Sequence, residues 1–277
     1  MRMPDLQGKV AVVTGGGGIL CSAFSRSIAR AGAKVAVMDI RPEAAQKVAD
    51  EINAEGGCAI AVAANCLDPE SLKAANEIVK AQLGPCDILI NGAGGNSPKG
   101  TTNDEEFNPA DPGDKTFFDL DPAGMRFVFD LNVLSAFITS QVFCRDMADN
   151  GHGCVINVSS MNAYRPLTKI PAYSGAKAAV SNFTMWLAVY LAKCGVRVNA
   201  IAPGFFVTEQ NRSLLFNADG TPTARTGKIL AATPMGRFGE AEELTGALYF
   251  LLDDTQSAFV TGTVIPVDGG FSAYSGV

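Results

Sequence analysis

The segment Val10–Cys21, with the sequence VAVVTGGGGILC, decides the fold of this chain. Its first five residues form a largely apolar run, which is typical of a strand buried on both faces of a parallel sheet. Four glycines follow, and from Ile19 the apolar residues recur with helical spacing until Gly32. The segment therefore predicts a strand, a tight glycine turn and a helix in immediate succession.

Strand and helix patterns continue to alternate along the chain. Prolines mark helix starts at Pro42 and Pro69, and the helix that begins at Pro42 ends near Gly56. Apolar runs predict six further strands, at Lys34–Asp39, Ala59–Ala64, Asp87–Asn91, Cys154–Val158, Val196–Ile201 and Val264–Val267. Because right-handed crossovers place helices on both faces of such a sheet, we predict an α/β fold. It is a single doubly wound Rossmann domain over residues 1–277, with a seven-stranded parallel sheet.

Two stretches interrupt this alternation, at about residues 95–120 and 205–235. The first is rich in Gly, Pro, Asn and Asp, and both come after the carboxyl end of a predicted strand. Open α/β sheets bind ligands at this edge, and long irregular loops in compact domains often have a functional role. We therefore expect the two stretches to form the substrate site.

The composition indicates a globular protein with a small-molecule ligand. Of the 277 residues, 47% are hydrophobic and 18% are charged, which is enough apolar surface for a large core. The formal net charge of -6 argues against a general affinity for nucleic-acid phosphates or anionic lipids. We expect a small-molecule substrate as the partner, and neither nucleic acid nor a membrane.

The cysteines do not form the pattern of a disulfide framework or a metal site. They are seven, an odd number, and no two of them form a Cys-x-x-Cys pair. The first residues lead directly into a predicted strand, and no apolar run approaches the roughly 18 residues of a membrane span. These features predict a cytoplasmic protein without a metal site.

The glycine turn is a candidate binding site for a dinucleotide. Gly15, Gly17 and Gly18 would let a pyrophosphate approach the backbone, and the start of the next helix would offer amide donors. A tight structural turn needs the same residues, so the glycines alone do not decide between the two interpretations. Asp39 favours the dinucleotide, because it ends the second predicted strand, 24 positions after Gly15, where an acidic residue binds the adenosine ribose.

Asp39 also predicts which dinucleotide binds. A carboxylate at the ribose would repel the 2′-phosphate of NADP, so NAD, with NADH as its reduced form, is the expected cofactor. Ile40 is not basic, whereas Arg41 is near enough in sequence to pair with a phosphate. An N-terminal helix cap is an alternative role for Asp39, and the two roles are compatible.

Tyr173 and Lys177 form a candidate acid–base pair. They are four residues apart, which puts the phenol and the ammonium on one face of the predicted helix. A phenol with its ordinary pKa of about 10 is a poor base at neutral pH, and a nearby cation would favour the phenolate. Taken alone, such a pair is a common accident on a helix surface.

Together and in this order, the motifs resemble those of the short-chain dehydrogenase/reductase family. Asn91-Gly92-Ala93-Gly94 resembles the family's Asn-Asn-Ala-Gly, and Ser160 lies 13 positions before Tyr173, the spacing usual in the family. Further matches are Thr14–Cys21, Asp39, Asn65-Cys66, Asn132 in Asp-Leu-Asn-Val, Pro203–Thr208 and Val267–Gly270. The resemblance covers nearly the whole chain and implies an NAD(P)-dependent oxidoreductase that forms a homotetramer.

The resemblance assigns roles to the catalytic residues. By it, a hydride passes between the nicotinamide and a carbinol or carbonyl carbon, while Tyr173 gives or takes the hydroxyl proton. Lys177 would lower the pKa of Tyr173 and hold the nicotinamide ribose. Ser160 would bind the reacting oxygen, and Asn132 would hold a water that relays protons. The implied cofactor contacts are Gly15, Gly17, Gly18, Ile19, Leu20, Asp39, Ile40, Asn65, Cys66, Asn91, Ala93, Gly94, Tyr173, Lys177, Pro203, Gly204, Phe206 and Thr208.

Two motifs depart from the family pattern. The family's turn is Thr-Gly-x-x-x-Gly-Ile-Gly, whereas this chain has Ile19 at the sixth place and Cys21 at the eighth. Glycine at the eighth place usually allows close helix packing, so Cys21 affects the detailed phosphate contacts. Gly92, in place of the second Asn of the later motif, is a milder change because the contacts there are largely made by the backbone.

Polar residues in three loops indicate the substrate class. Asn162 and Gln210 are expected to bind hydroxyls, and the carboxylate partner stays open between Lys99, Lys169 and Arg212. A sugar acid suits this set, although polar loops are common on any surface, and an acyl chain would need an apolar trough. The alternatives are another short-chain carbonyl reductase, such as a 3-oxoacyl thioester reductase or a polyol dehydrogenase, and a non-catalytic dinucleotide-sensing protein.

Overall fold

The computed structural model describes residues 3–111, 113–207, 212 and 215–276. Within these ranges, seven strands form one sheet: β1 (Val10–Thr14), β2 (Lys34–Asp39), β3 (Cys58–Ala63), β4 (Ile88–Asn91), β5 (Gly153–Val158), β6 (Val196–Pro203) and β7 (Val264–Val267). They lie in the order β3-β2-β1-β4-β5-β6-β7, and each neighbouring pair is parallel. The predicted doubly wound, seven-stranded parallel sheet is confirmed. Its order reverses between β1 and β4, which is where such sheets bind ligands.

Helices cover both faces of the sheet. They are α1 (Ile19–Arg30), α2 (Pro42–Ala54), α3 (Pro69–Gln82), α4 (Pro122–Phe129), α5 (Ser135–Asn150), α6 (Pro171–Leu191), α7 (Ala224–Ala231), α8 (Thr245–Leu252) and α9 (Asp254–Ser257). One core layer lies between the sheet and α1, α2 and α8, and the other between the sheet and α3, α5 and α6. Val13 of β1 belongs to the first layer and Val12 to the second. Successive strand residues point to opposite faces, so this central strand must be apolar throughout.

A π-helical turn, Asp130–Leu134, joins α4 and α5 into one continuous helical stretch, Pro122–Asn150. Asp121 caps the start, because its carboxylate accepts a backbone hydrogen bond of 2.8 Å. Gly151 ends the stretch in the left-handed conformation that glycine adopts readily. The π turn places Asn132 near the middle of the stretch.

The stretch Pro122–Asn150 is long and apolar enough to cross a membrane by length and composition, with 29 residues and a mean hydropathy of 1.5 in its most apolar part. Half of that part is buried inside the fold, as in a helix that packs in a protein core. The stretch also contains charged residues such as Arg126 and Asp130, so it is not an uninterrupted apolar run.

The two predicted substrate loops differ in regularity. The first contains two short 3-10 turns, Pro98–Gly100 and Phe117–Asp119. The second was predicted to be irregular, but it contains the eight-residue helix α7. Only Thr226 and Ile229 of this helix are buried, so its buried face is small.

Candidate active site

The four residues predicted to be catalytic come from three elements at the carboxyl edge of the sheet. Ser160 follows β5, Tyr173 and Lys177 lie in the first turns of α6, and Asn132 lies in the π turn. Ser160, Lys177 and Asn132 are buried, and Tyr173 is half-buried. Their contacts, described next, bring all four residues together.

Tyr173 lies near enough to Ser160 for the serine hydroxyl to lower the pKa of the phenol. The Ser160 hydroxyl in turn accepts a hydrogen bond of 3.2 Å from the amide of Asn162. Burial raises the pKa of the Tyr173 phenol, and the Ser160 hydroxyl opposes this rise. The protein groups by themselves therefore hold the phenol protonated at neutral pH, which is opposite in direction to the lowering predicted from Lys177.

Lys177 is a buried ammonium next to the tyrosine. Its Nζ lies 5.6 Å from the centre of the Tyr173 ring and donates a hydrogen bond of 2.8 Å to the carbonyl of Val158. Burial lowers the pKa of Lys177 to about 8, because the surrounding fold solvates the charge less well than water does. The group is therefore still protonated at pH 7 and loses its charge on moderate alkalinisation.

Asn132 ties the π turn to the segment after β4. Its Nδ2 donates to the carbonyls of Gly95 (2.7 Å) and Val128 (2.8 Å), and its Oδ1 accepts from the amide of Gly95 (3.2 Å). A Cβ added to Gly94 would lie 2.6 Å from Asn132 Oδ1 and 3.2 Å from Lys177 Nζ. Only a glycine at position 94 permits this close packing of backbone, amide and ammonium.

The glycine turn leaves backbone donors open at the start of α1. Gly15 has a φ of +63°, and a Cβ there would lie 3.1 Å from the backbone of Ala93. The first hydrogen bond of the helix runs from the amide of Ser22 to the carbonyl of Gly18, at 2.8 Å. The amides of Ile19 and Leu20 precede that bond and are therefore available for an anion.

Both carboxylate oxygens of Asp39 accept hydrogen bonds from backbone amides. Oδ2 accepts a hydrogen bond of 3.1 Å from the amide of Gly17, so this predicted phosphate contact already has a partner. Oδ1 accepts from the amide of Arg41 at 3.0 Å and lies 3.5 Å from its Nε. Arg41 is thus held by the carboxylate, while Ile40 is exposed.

The residues predicted to contact the adenosine differ in their burial. Asn65 is exposed, and its Oδ1 accepts from the amide of Leu67 at 3.0 Å. Burial raises the pKa of the Cys66 thiol to about 11, so it is neutral. Asn91 is buried and donates to Asn157 at 2.8 Å, which ties β4 to β5. Its Oδ1 is buried and has no hydrogen-bond partner among the described residues.

The predicted contacts after β6 form a tightly packed turn. Pro203 ends the strand, and the amide of Gly204 donates to the carbonyl of Val267 at 2.9 Å. Phe206 is buried against Gly239, where a Cβ would meet the ring at 2.5 Å. The predicted contacts Thr208 and Gln210 lie outside the described residues.

Asn162 is the predicted substrate residue with an unsatisfied hydrogen-bond acceptor. It is 5% exposed, and its Oδ1 is buried with no hydrogen-bond partner in the described chain. A buried amide oxygen without a partner is costly, so a ligand hydroxyl beside Ser160 would relieve it.

The three candidate partners of a carboxylate are already in contact with protein groups. Lys99 lies 3.8 Å from Asp121, and Lys169 Nζ donates to the carbonyl of Asn103 at 2.6 Å. The guanidinium of Arg212 lies 5.8 Å from the ring centre of Phe216. None of these contacts singles out one of the three.

A contact that the sequence analysis missed joins the two substrate loops. Lys228 of α7 forms an ion pair of 2.9 Å with Glu105 in the first loop. The first loop is also held by the amide of Thr102, which donates to the carbonyl of Lys169 at 2.9 Å. Glu105 and Lys228 are 123 residues apart, so no local pattern could have indicated the pair.

A cavity of about 550 Å³ lies away from this site, at the amino edge of the sheet. It is lined by the C-terminal part of α1 and the turn before β3, including Arg30, Gly56 and Cys58. None of the predicted catalytic or cofactor residues lines it. We therefore assign the candidate active site to the carboxyl edge, where the predicted chemical groups meet.

The chain belongs to the short-chain dehydrogenase family, whose model matches residues 9–217. It is 57% identical over 275 residues to an uncharacterized oxidoreductase of Haemophilus influenzae, covering 99% of this chain and 96% of the relative. It is 54% identical over 273 residues to the uncharacterized oxidoreductase UxuB of Bacillus subtilis, covering 99% and 98%. The 7alpha-hydroxysteroid dehydrogenase of Escherichia coli is 34% identical over 265 residues, covering 96% and 94%.

A solved structure extends the similarity to a particular enzyme. This chain superposes with a TM-score of 0.94 and 56% identity on a Haemophilus influenzae protein that is provisionally assigned as a D-mannonate oxidoreductase and has bound NAD. The match covers 99% of this chain and 98% of that one. The predictions of an oxidoreductase acting on CH-OH groups and of a family that uses NAD(P) are confirmed.

Proposed function

We propose that this chain is an NAD-dependent oxidoreductase that interconverts D-fructuronate and D-mannonate. The observation that carries the proposal is at Asn162, whose backbone N–H donates to the Ser160 hydroxyl and whose buried side-chain Oδ1 has no hydrogen-bond partner among the described residues. It supports a substrate with hydroxyls near the reacting carbon. The 56% identity to the structure provisionally assigned as a D-mannonate oxidoreductase supports the choice of sugar acid.

The residues at the carboxyl edge fit a dinucleotide. The side-chain-free turn Gly15–Gly18 and the open amides of α1 suit a pyrophosphate, and Asp39 suits a ribose diol. When bound, NAD supplies the acceptor or donor of the hydride. Because the Asp39 carboxylate would repel a 2′-phosphate, NAD is favoured over NADP.

Residues of the chain transfer the proton to the substrate oxygen. In the direction of reduction, Tyr173 donates its phenolic proton to the carbonyl oxygen, and Ser160 donates a hydrogen bond to the same oxygen. Lys177 stabilises the phenolate that remains and holds the nicotinamide ribose. Asn132 fixes the backbone of Gly95 and holds the water through which the proton is replaced.

The two loops at residues 95–120 and 205–235 would bind the rest of the substrate. Asn162 and Gln210 would bind its hydroxyls, and one of Lys99, Lys169 and Arg212 would bind its carboxylate. The ion pair between Glu105 and Lys228 supports a site covered by both loops.

We further propose a cytoplasmic homotetramer. An exposed aromatic row on α6 supports association: Trp186 and Tyr190 stack with ring centres 5.0 Å apart, and Phe183 stacks on Trp186 at 6.3 Å. Trp186 and Tyr190 are 55% and 68% exposed, which is unusual for a row of large aromatic side chains on an isolated subunit.

The test compares the rate of NADH oxidation with three carbonyl substrates. We expect the highest kcat/KM with D-fructuronate, a lower value with a neutral ketose and the lowest with a 3-oxoacyl thioester. A higher value with either of the last two would reject the sugar acid but keep the dehydrogenase. No turnover with any carbonyl compound, combined with tight NADH binding, would favour a dinucleotide-sensing protein instead.

A further inference from the structure

Cys21 and Gly92, one from each of the two motifs that depart from the family's sequence pattern, are in direct contact. A Cβ atom added to Gly92 would overlap Cys21 Sγ and would lie 2.8 Å from the carbonyl oxygen of Thr14. Cys21 is only 5% exposed, so its thiol cannot simply turn into solvent. The thiol thus fills the space that a side chain at position 92 would need.

Gly92 begins a short backbone segment, Gly92–Gly95, which we call the glycine ribbon. Thr14 Oγ1 accepts hydrogen bonds from the amides of Gly92 (3.0 Å) and Ala93 (3.2 Å). Gly15 lies against the backbone of Ala93, where an added Cβ would come within 3.1 Å. The near end of the ribbon is therefore packed directly on the glycine turn.

The far end of the glycine ribbon is packed on catalytic groups. Asn132 makes two hydrogen bonds to Gly95, of 2.7 and 3.2 Å, and Lys177 Nζ lies 3.2 Å from where a Cβ of Gly94 would be. A shift of the ribbon at Gly92 would thus displace the side chains of Lys177 and Asn132. Cores transmit such shifts because they are packed too densely to absorb them.

Cys21 acts here by its volume and not by acid–base chemistry. Burial raises the pKa of its thiol to about 12, so the group is neutral at physiological pH. A neutral buried thiol behaves as a small hydrophobic group.

We propose that Cys21 is a positioning residue: by packing on Gly92, it sets the glycine ribbon relative to the glycine turn and to Lys177. The inference rests on the proposed cofactor site, because the ribbon and the turn would enclose the dinucleotide. It does not depend on which carbonyl compound is reduced.

A double-mutant cycle tests the contact. Gly92→Ala should weaken NADH binding about 10-fold and lower the Tm of the protein without cofactor, since the new methyl group overlaps the thiol. In the Cys21→Ala background the same change should weaken binding only about 3-fold, because the clash with Thr14 remains and the clash with the thiol is gone. Equal effects in both backgrounds would overturn the proposal.

Cys154→Ala is the matched control for a merely structural role. Cys154 is buried like Cys21, at 6% exposure, but it lies at the amino end of β5, far from the glycine ribbon. Both alanine variants should lower the Tm to a similar extent. Only Cys21→Ala should raise the Kd for NADH and shift the pH profile of kcat, which depends on the ionisation of Lys177. Equal changes of the Kd in the two variants would reject a positioning role.

The same measurements separate this inference from the proposed function. NADH binding is followed by fluorescence without any substrate. A wild-type protein that binds NADH but does not reduce D-fructuronate would refute the sugar acid, while the cycle would still decide the role of Cys21. A wild-type protein that does not bind NADH would refute both.

Discussion

Tyr173 is held in its protonated form at neutral pH, since burial raises its pKa. We predict that Tyr173→Phe folds, binds NADH as the wild type does and loses turnover at least about 100-fold, because only the proton donor is removed. Stopped-flow measurement of NADH oxidation, with fluorescence titration as the binding control, checks this. Retention of more than about a tenth of the activity would exclude Tyr173 as the acid.

Lys177 makes the stability of the fold depend on pH. Its pKa falls from 10.5 to about 8 on folding, so between these values the folded chain binds fewer protons than the unfolded chain, and the free energy of unfolding rises with pH. Relative to the wild type, Lys177→Met should be more stable at pH 7, and this advantage should shrink by about 3 kcal/mol as the pH approaches 10.5. Urea unfolding at several pH values measures it, and an advantage independent of pH would contradict the burial of a charged ammonium.

Asp39 pairs with Arg41 through a contact of 3.5 Å at the proposed position of the adenosine ribose. We predict that Asp39→Ala raises the ratio of kcat/KM for NADPH to that for NADH by roughly 10-fold or more, because it removes a repulsive carboxylate and frees a cation already beside it. The double variant Asp39→Ala/Arg41→Ala should lose most of this gain. An equal gain in both variants would mean that Arg41 does not reach the phosphate.

The ion pair of Glu105 and Lys228 links the two substrate loops. Both side chains are partly exposed, so the pair should affect loop geometry more than global stability. We predict that Glu105→Gln raises the KM for the sugar acid about 3-fold to 10-fold with little change in Tm. Glu70→Gln, which breaks a comparable exposed pair with Lys73 on α3, is the control and should leave the KM unchanged.

The elements themselves were largely predictable, for a physical reason. Strands of a doubly wound sheet are buried on both faces, so each appears as an apolar run between turn residues, as Val10–Thr14 does. The helix predicted to carry Tyr173 and Lys177 is observed at Pro171–Leu191. Helix α7 was missed because it is only eight residues long and buries two of them. Its start is capped by Thr223, whose Oγ1 accepts a hydrogen bond from the amide of Thr226.

The candidate site was predictable only where its residues share an element or a motif. Tyr173 and Lys177 occupy one helix face, so their spacing alone brings them together. Two contacts join segments that are far apart in the sequence: Cys21 with Gly92, and Glu105 with Lys228. No local sequence pattern predicts either contact. The burial that raises the pKa of Tyr173 is likewise a property of the assembled fold.

For the whole molecule, the aromatic row on α6 is the interface that we propose for the homotetramer. Trp186→Glu should reduce the oligomer to a smaller species, because a charge would be buried in the proposed interface. Mass photometry measures the change. Ile78→Glu, on the exposed side of α3, is the control and should leave the mass unchanged.

The π turn Asp130–Leu134 determines how the chain can change in length during evolution. A π turn holds one residue more than the α-helix around it, so deleting one residue there would restore a regular helix. Because the five residues of the π turn sweep about the same angle as four residues of an α-helix, the helices on either side would keep their faces. Ile138, Phe143 and Met147 would stay in the core, whereas Asn132 would move away from Gly95. A deletion of one residue in the π turn should therefore leave the fold intact and release the backbone of Gly95.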